Sequence, residues 1–373
     1  MSTYTQSLHI LVKQQIDSMR RLVIYFSVLF LYLGCSAQEI KHIVLIGIDG
    51  FSSVSLEKAK MPTISQLMNN GTYTLKKRSV LPSSSAPNWA SMFMGVPTEL
   101  HGYTQWGSKE PEIESPVETK NNIPPTIFQI AKKNRPQDKI SCVYEWVGMK
   151  YLVDTLSLDY HQQAIDYLEH KSLLTDIACK YLQEEKPTLF GVIYASPDDM
   201  GHQYGFESDE YYSELELVDL GIKSIIRAVD RAGVLNNTVF IISSDHGGKD
   251  KNHGGITLEE METPFIIAGS GIKSGYKIDE VMMQYDIASI ILDLLGIESP
   301  SFWRGHSFDC IYGESSGLDS KILNESDRSK LLIKTDYFDI NGRRYNVEPQ
   351  AGIVIRRETM SDGSAKNRKF FKR

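Results

Sequence analysis

The sequence predicts an α/β protein: a largely parallel central sheet flanked by helices on both faces, with a small inserted lobe. Three observations predict it. Short apolar runs (HIVLIGI, LFGVIYA, TVFIIS) are continuous rather than alternating, as strands buried on both faces are. Amphipathic stretches separate the runs, and such a β/α order favours parallel pairing with helices on both faces. Each run also ends close to an aspartate: Asp49, Asp198 and Asp245. The carboxyl ends of strands in an open α/β sheet face one crevice, where ligands gather.

In chain order, a strand is expected at 42–48 and a helix around 56–70, stopped by Asn69-Asn70-Gly71. A strand near 72–81 leads through the turn PSSSAPN to a helix over roughly 87–95, with Pro87 suited to its first turn. Residues 104–123 are polar and carry prolines, so a loop or small lobe is expected within 104–170. A helix at 125–134 and a strand at 139–145 follow. Residues 160–185 have the apolar spacing of one or two helices. A strand at 188–195 precedes a long amphipathic helix at 208–232, ended by Gly233. Strands at 238–243 and 264–268 and a helix at 284–295 complete the alternation. The pattern then fades. YFDINGRRYNV reads as a small hairpin turning at Asn341-Gly342, and AKNRKFFKR as a frayed basic tail. The expected organisation is an extension and signal at 1–37, one catalytic domain at 38–310 and a C-terminal extension at 311–373 with no assigned role.

The 373 residues suffice for one large domain with insertions or for two domains. A net charge of -7 argues against a nucleic-acid polymer as partner. It leaves room for a small phosphate ester, because bound metal ions can hold an anion inside an acidic protein. No protein partner is inferred.

Residues 19–37 have the make-up of a secretory signal: Arg20-Arg21, the apolar run LVIYFSVLFLYLG, then CSAQ. Met19 is a better start than Met1, because it sets the arginines at the beginning. The run falls short of the ~20 apolar residues of a comfortable span, so a retained anchor is disfavoured. Cleavage after Ala37 and lipid attachment at Cys35, in a Leu33-Gly34-Cys35 run similar to a lipobox, are both expected routes. Either gives an exported protein, periplasmic or on the outer surface. Cys142, Cys179 and Cys310 form neither a disulfide framework nor a zinc-thiolate spacing, although one pair could bridge.

The metal-capable side chains cluster at strand ends. Asp198 and His202 lie four apart, so on a helical turn they face one way. Asp245-His246-Gly247-Gly248 sets two such side chains side by side, and His253-Gly254-Gly255 follows. Any one of these has an ordinary explanation; a strand-end aspartate such as Asp49 is commonly an Asx turn or a cap. Together they suit zinc, manganese or a similar divalent metal. Ser83, Ser84 and Ser85 stand directly before a helix start, where free N–H groups favour anions. One of them could be a nucleophile and another a plain cap. Asn88 could donate its amide to a phosphate oxygen, while Trp89 and His101 could be packing residues.

The order IGIDG, PSSSAPNWASMFMGVPTELHG, SPDDMGHQYG, SSDHGG and HGG resembles the alkaline phosphatase superfamily, in particular its type I phosphodiesterase/nucleotide pyrophosphatase family, over roughly residues 40–310. The resemblance implies an alkaline phosphatase-like fold, two zinc ions and a covalent intermediate. It selects Ser85 as the nucleophile, three residues before Asn88. It implies one metal on Asp198, His202 and His253, the other on Asp49, Ser85, Asp245 and His246, and Asn88 against a phosphate oxygen. Ala86 stands where relatives carry a bulkier residue, which implies a different substrate wall. Neither the Asp-Ser-Ala motif of phosphomonoesterases nor the formylglycine motif of sulfatases occurs. The implied activity is therefore phosphodiester hydrolysis. Phosphomonoester, phosphonate or sulfate-ester hydrolysis, phosphomutase chemistry and an inactive binding protein stand as alternatives. Trp106, Tyr144 and Trp146 offer faces that could stack on a base, with ordinary packing the favoured role.

Overall fold

The computed structural model describes residues 19–20, 40–116, 121, 123–313, 332–339, 343–345, 352–360 and 365–372. The signal run and its two exits, at Cys35 and Ala37, lie outside the described residues. No described helix is long and apolar enough to cross a membrane.

The central sheet has eight strands: β1 (His42–Ile48), β2 (Gly71–Arg78), β3 (Ile140–Tyr144), β4 (Tyr160–Gln163), β5 (Leu189–Tyr194), β6 (Thr238–Ser243), β7 (Glu262–Gly269) and β8 (Tyr276–Lys277). Their order is β4-β3-β5-β1-β6-β7-β2-β8. The five strands from β4 to β6 are mutually parallel. β7 alone of the eight runs against its neighbours. Apolar residues on both faces explain the continuous runs. In β1, Ile43 and Leu45 join one buried cluster with Trp89, Phe93 and Phe128, while Val44, Ile46 and Ile48 join another with Leu67, Ile222 and Ile225. This is the core of a doubly covered sheet, and it fixes β5, β1 and β6 side by side with their carboxyl ends level.

The helices that position the site are α1 (Pro62–Asn69), α2 (Ser85–Met94), α3 (Thr98–His101), α4 (Ile127–Asn134), α5 (Leu173–Glu185), α6 (Ser196–Tyr204) and α7 (Asp209–Arg231). The helix expected over 56–70 is shorter: Ser53–Glu57 is a 3-10 turn, and α1 begins at Pro62. A proline has no N–H and its ring clashes with the carbonyl four residues back, so it opens a helix and does not sit inside one. The residues expected as helix from 160 onward divide in two, with Tyr160–Gln163 an edge strand on β3 and only Leu173–Glu185 helical. Residues 104–116 form a loop, while 127–163 supply α4, β3 and β4.

At the C-terminus, β9 (Leu332–Phe338), β10 (Arg344–Tyr345), β11 (Gly352–Met360) and β12 (Ala365–Lys372) form an antiparallel sheet ordered β10-β9-β11-β12. The expected hairpin is the β9–β10 pair, and its turn at Asn341-Gly342 lies outside the described residues. The basic tail is not frayed. β12 pairs with β11 from Ala365 to Lys372, because the hydrogen bonds of a ladder come from backbone that basic side chains leave free. Cys142, Cys179 and Cys310 are all free thiols.

Candidate active site

Asp49, Asp198 and Asp245 converge just beyond the ends of β1, β5 and β6. Asp49 directly follows β1. Gly50 turns the chain there at φ 70, and a β-carbon on it would stand 2.8 Å from Asp198 Oδ1, so glycine is the residue that fits. Asp198 and His202 lie on α6, one turn apart, as their spacing predicts. Asp245, His246 and His253 come from the loop after β6.

The side chains divide into two clusters, Asp49 with Asp245 and His246, and Asp198 with His202 and His253; within each, ligand-capable atoms lie within 4.8 Å of one another. His246 Nε2 lies 3.4 Å from Asp49 Oδ1, 3.2 Å from Asp245 Oδ2 and 3.2 Å from Ser85 Oγ. His246 Nδ1 is 2.8 Å from the Gly247 carbonyl. A proton on Nδ1 satisfies that carbonyl and leaves the Nε2 lone pair facing the two carboxylates and the serine. His202 and His253 are built alike, with Nδ1 near the carbonyls of Lys251 (2.8 Å) and Ser83 (3.2 Å). Their Nε2 atoms face each other at 3.0 Å, and His202 Nε2 is 3.2 Å from Asp198 Oδ2.

These arrangements fit divalent cations. Asp49 Oδ1, Asp198 Oδ1 and Asp245 Oδ2 are buried oxygens without a hydrogen-bond partner among the described residues, and buried acceptors are seldom left so. Two imidazole lone pairs meeting at 3.0 Å repel unless a cation lies between them. Burial raises the Asp49 carboxyl well above its ordinary range, with Asp245 and Asp198 adding repulsion. Burial raises Asp245 too, again with Asp198. Burial pushes His246 and His253 down to about 3, keeping them neutral as metal ligands must be. The hydrogen bond to Asp198 raises His202 to about 9, so a proton there occupies the charge that a metal would supply.

Of the three serines, Ser83 donates to the Gly255 carbonyl at 2.7 Å, and Ser84 is the N-cap residue of α2. Ser85, the first residue of α2, is the one whose Oγ meets a cluster. Asn88 does not face the site. Its Oδ1 accepts from the Val80 N–H at 2.7 Å, and its Nδ2 donates to the carbonyls of Pro82 and Ser84, each at 3.0 Å. The expected contact with a phosphate oxygen is therefore corrected: this amide is fully engaged in shaping the 80–84 loop that presents Ser85. His101 packs in the core against Ser91. Trp89 packs too, but its Nε1 donates to Asp49 Oδ2 at 3.2 Å and so fixes that carboxylate.

Supporting residues without a motif complete the site. Buried Lys77 donates to the Ser244 carbonyl at 2.9 Å and to Gln284 behind Asp245, and burial lowers it to about 7. Glu145, buried after β3, accepts the N–H groups of Ala195 (2.7 Å) and Ser196 (2.9 Å) at the start of α6. A strand-end acid in VYEW was the available signal. A cavity of about 550 Å³ opens over Ser85 and both clusters, walled by Trp106, Trp146, Tyr167 and Asp199. The Ala86 N–H donates to the Trp106 carbonyl at 3.1 Å, so the Trp106 loop hangs on the first turn of α2. Tyr144 is buried and takes no part in this wall.

A sheet of this order with acid and histidine clusters at three adjacent strand ends defines an alkaline phosphatase-like protein. The sequence pattern of the type I phosphodiesterase/nucleotide pyrophosphatase family matches residues 43–278, and the chain belongs to that family. It is 25% identical over 224 residues to mouse ectonucleotide pyrophosphatase/phosphodiesterase family member 1, covering 57% of this chain and 25% of that protein. It is 24% identical over 213 residues to human bis(5'-adenosyl)-triphosphatase ENPP4, covering 55% of this chain and 47% of that one. The chain thus spans half or less of the length of these relatives. In fold it is similar to murine ectonucleotide pyrophosphatase/phosphodiesterase 5 (TM-score 0.56, 16% identity, 70% of this chain, 98% of the other). It is equally similar to a 2-O GAG sulfatase (TM-score 0.56, 14% identity, 89% and 85%).

Proposed function

We propose that the chain hydrolyses small phosphate esters, phosphodiesters foremost, in two steps through a phosphoserine on Ser85. The observation that carries this is the position of Ser85 Oγ: at the first residue of α2, 3.2 Å from His246 Nε2, on the floor of a cavity of about 550 Å³. Asp49, Ser85, Asp245 and His246 would hold one divalent ion, and Asp198, His202 and His253 a second. Nitrogen and carboxylate donors of this kind suit zinc. Bound metals would supply Lewis-acid charge at the attacking, leaving and non-bridging oxygens.

The residues do the rest. Ser85 Oγ gives up its proton and bonds to phosphorus as the P–O bond to the leaving arm breaks, and the departing oxygen takes up a proton. The start of α2 places partial positive charge near the phosphoryl group. Neutral His246 and His253, each with Nδ1 against a backbone carbonyl, keep their Nε2 lone pairs for the divalent ions. Water then cleaves the phosphoserine, and Ser85 regains its proton. Family membership and the relatives' names support the ester class; the murine relative of matching fold has been solved with AMP. A signal at 19–37 would place this chemistry outside the cytoplasm, with Cys35 as a lipid attachment point.

Zinc-loaded protein tested on bis-p-nitrophenyl phosphate, p-nitrophenyl thymidine 5′-phosphate, p-nitrophenyl phosphate and p-nitrophenyl sulfate should turn over the two diesters fastest. Preference for the monoester or the sulfate would overturn the diesterase assignment.

A further inference from the structure

Among the described residues Lys77 is the only lysine or arginine that is wholly buried. It stands on β2 and takes no part in lining the cavity over Ser85. A buried ammonium is costly unless an opposite charge nearby offsets its lost hydration. An apolar side chain of the same length would fill the place without that cost, so the charge needs a partner to explain it.

Its hydrogen bonds go to neutral groups, the Ser244 carbonyl at 2.9 Å and Gln284 Oε1. Two carboxylates favour the ammonium form, Asp245 first and then Asp286. Asp286 already has partners. Its Oδ2 accepts the Met283 N–H at 2.6 Å, and its Oδ1 accepts the His306 N–H at 3.1 Å, with His306 Nδ1 also at 3.1 Å. Asp245 Oδ2 is buried and accepts no hydrogen bond among the described residues. The carboxylate that lacks compensation is thus the one that directly follows Ser244. Gln284 extends the contact. With Oε1 on the ammonium, its Nε2 donates to the carbonyls of Ser244 and Asn88, each at 3.2 Å. The pair therefore ties the Asp245 loop to α2, the helix that begins with Ser85.

Charge decides what the lysine does. In the empty cluster, an ammonium behind Asp245 offsets part of the repulsion between Asp245 and Asp49. With a divalent ion in place those two carboxylates are already balanced. The same ammonium then gains little and opposes the ion. It favours the empty cluster over the filled one.

We propose that Lys77 is the resident counter-ion of the buried cluster, a positioning residue whose charge supports Asp245 while the cluster is empty and limits how tightly a metal is held there. This rests on Asp49, Asp245 and His246 being a metal site.

Lys77→Met keeps the length of the side chain and removes its charge, a kind of change that is often neutral for folding. In competition with a zinc chelator, one of the two zinc sites should bind about tenfold more tightly than in the parent, and the other should not change. A lysine with a merely structural role would give the opposite sign, because a looser site holds its metal less well. Gln284→Met removes the brace and leaves the charge, so neither site should tighten. Unchanged or weaker zinc binding in Lys77→Met, tightening in Gln284→Met as well, or a Lys77→Met that folds neither with nor without zinc overturns the counter-ion and leaves the metal site standing. Fewer than two zinc ions on the parent, with none lost in Asp245→Asn, overturns the site and the counter-ion together.

Discussion

The two clusters are built from the same chemistry and sit in different environments. Asp49, Asp245 and His246 are buried, on or beside the ends of two central strands. Asp198 and His202 ride on a nine-residue helix, and the His202 side chain is 43% exposed. A deep site is preorganised by the sheet itself, but keeps two carboxylates close together in a low dielectric. An open site holds less electrostatic strain and depends on how α6 is anchored. The buried cluster should therefore control chemistry and stability, the open one metal exchange and access.

The sharpest break between them is Ser85, which touches only the buried cluster. Ser85→Ala should lower diester turnover by about a thousandfold or more while the protein still binds two metals, checked by elemental analysis of the same sample. Loss of a metal with little loss of turnover would detach the nucleophile from that cluster.

Asp245→Asn tests electrostatic strain, and its effect should change sign with metal. Without metal, Asp49 and Asp245 repel, so the variant should melt higher than the parent, by about 1–3 kcal/mol in stability. With zinc the parent gains stability through binding and the variant largely does not, so the order reverses. Melting curves with and without chelator decide it; a variant less stable in both states would mean the carboxylates are not strained. His202→Ala is the matching change in the open cluster. It should drop stoichiometry from two metals to one, and at neutral pH it should also lower metal-free stability, because it removes the charged partner of Asp198.

Sequence alone made the clusters legible because each lies within a few residues of a buried strand, and strand ends are where the fold brings distant segments together. Asp198 and His202 could be paired by helical spacing, and Asp245 and His246 by adjacency. Asn88 was legible as a site residue and not as to its role, because its hydrogen bonds go to a loop whose path depends on tertiary packing. Asp199 and Tyr167 were not legible at all, and Glu145 was legible only as a strand-end acid and not as to its role. Asp199 stands beside a stronger candidate, Tyr167 lies in a stretch whose spacing reads as helix but which connects a strand to a helix, and Glu145 acts through the backbone of a strand-end neighbour some 50 residues on. Edge strands at 160–163 and 365–372 were missed for a shared reason: such strands are held by ladder hydrogen bonds more than by an apolar pattern.

Glu145 is where the anchoring of the open cluster can be measured. Its carboxylate caps the first N–H groups of α6, yet it is buried and lifted to about 8 from 4.5 by desolvation. The folded carboxyl thus holds its proton over a range where the unfolded one has lost it. Between about pH 4.5 and 8 the folded state binds more protons, so this group's contribution to stability declines as pH rises through that window and is level outside it. Glu145→Gln keeps an acceptor for Ala195 and Ser196 and cannot ionise. Its melting temperature should match the parent near pH 4.5, exceed it by pH 8, and be accompanied by unchanged metal stoichiometry. Glu145→Leu leaves two buried N–H groups unpaired, at about 1–3 kcal/mol, and should weaken metal binding at the Asp198 cluster while sparing the Asp49 cluster. Parallel pH profiles for the parent and the Gln variant would show that Glu145 does not carry this proton. Equal weakening of both metals in the Leu variant would show that it supports the fold at large and not α6 in particular.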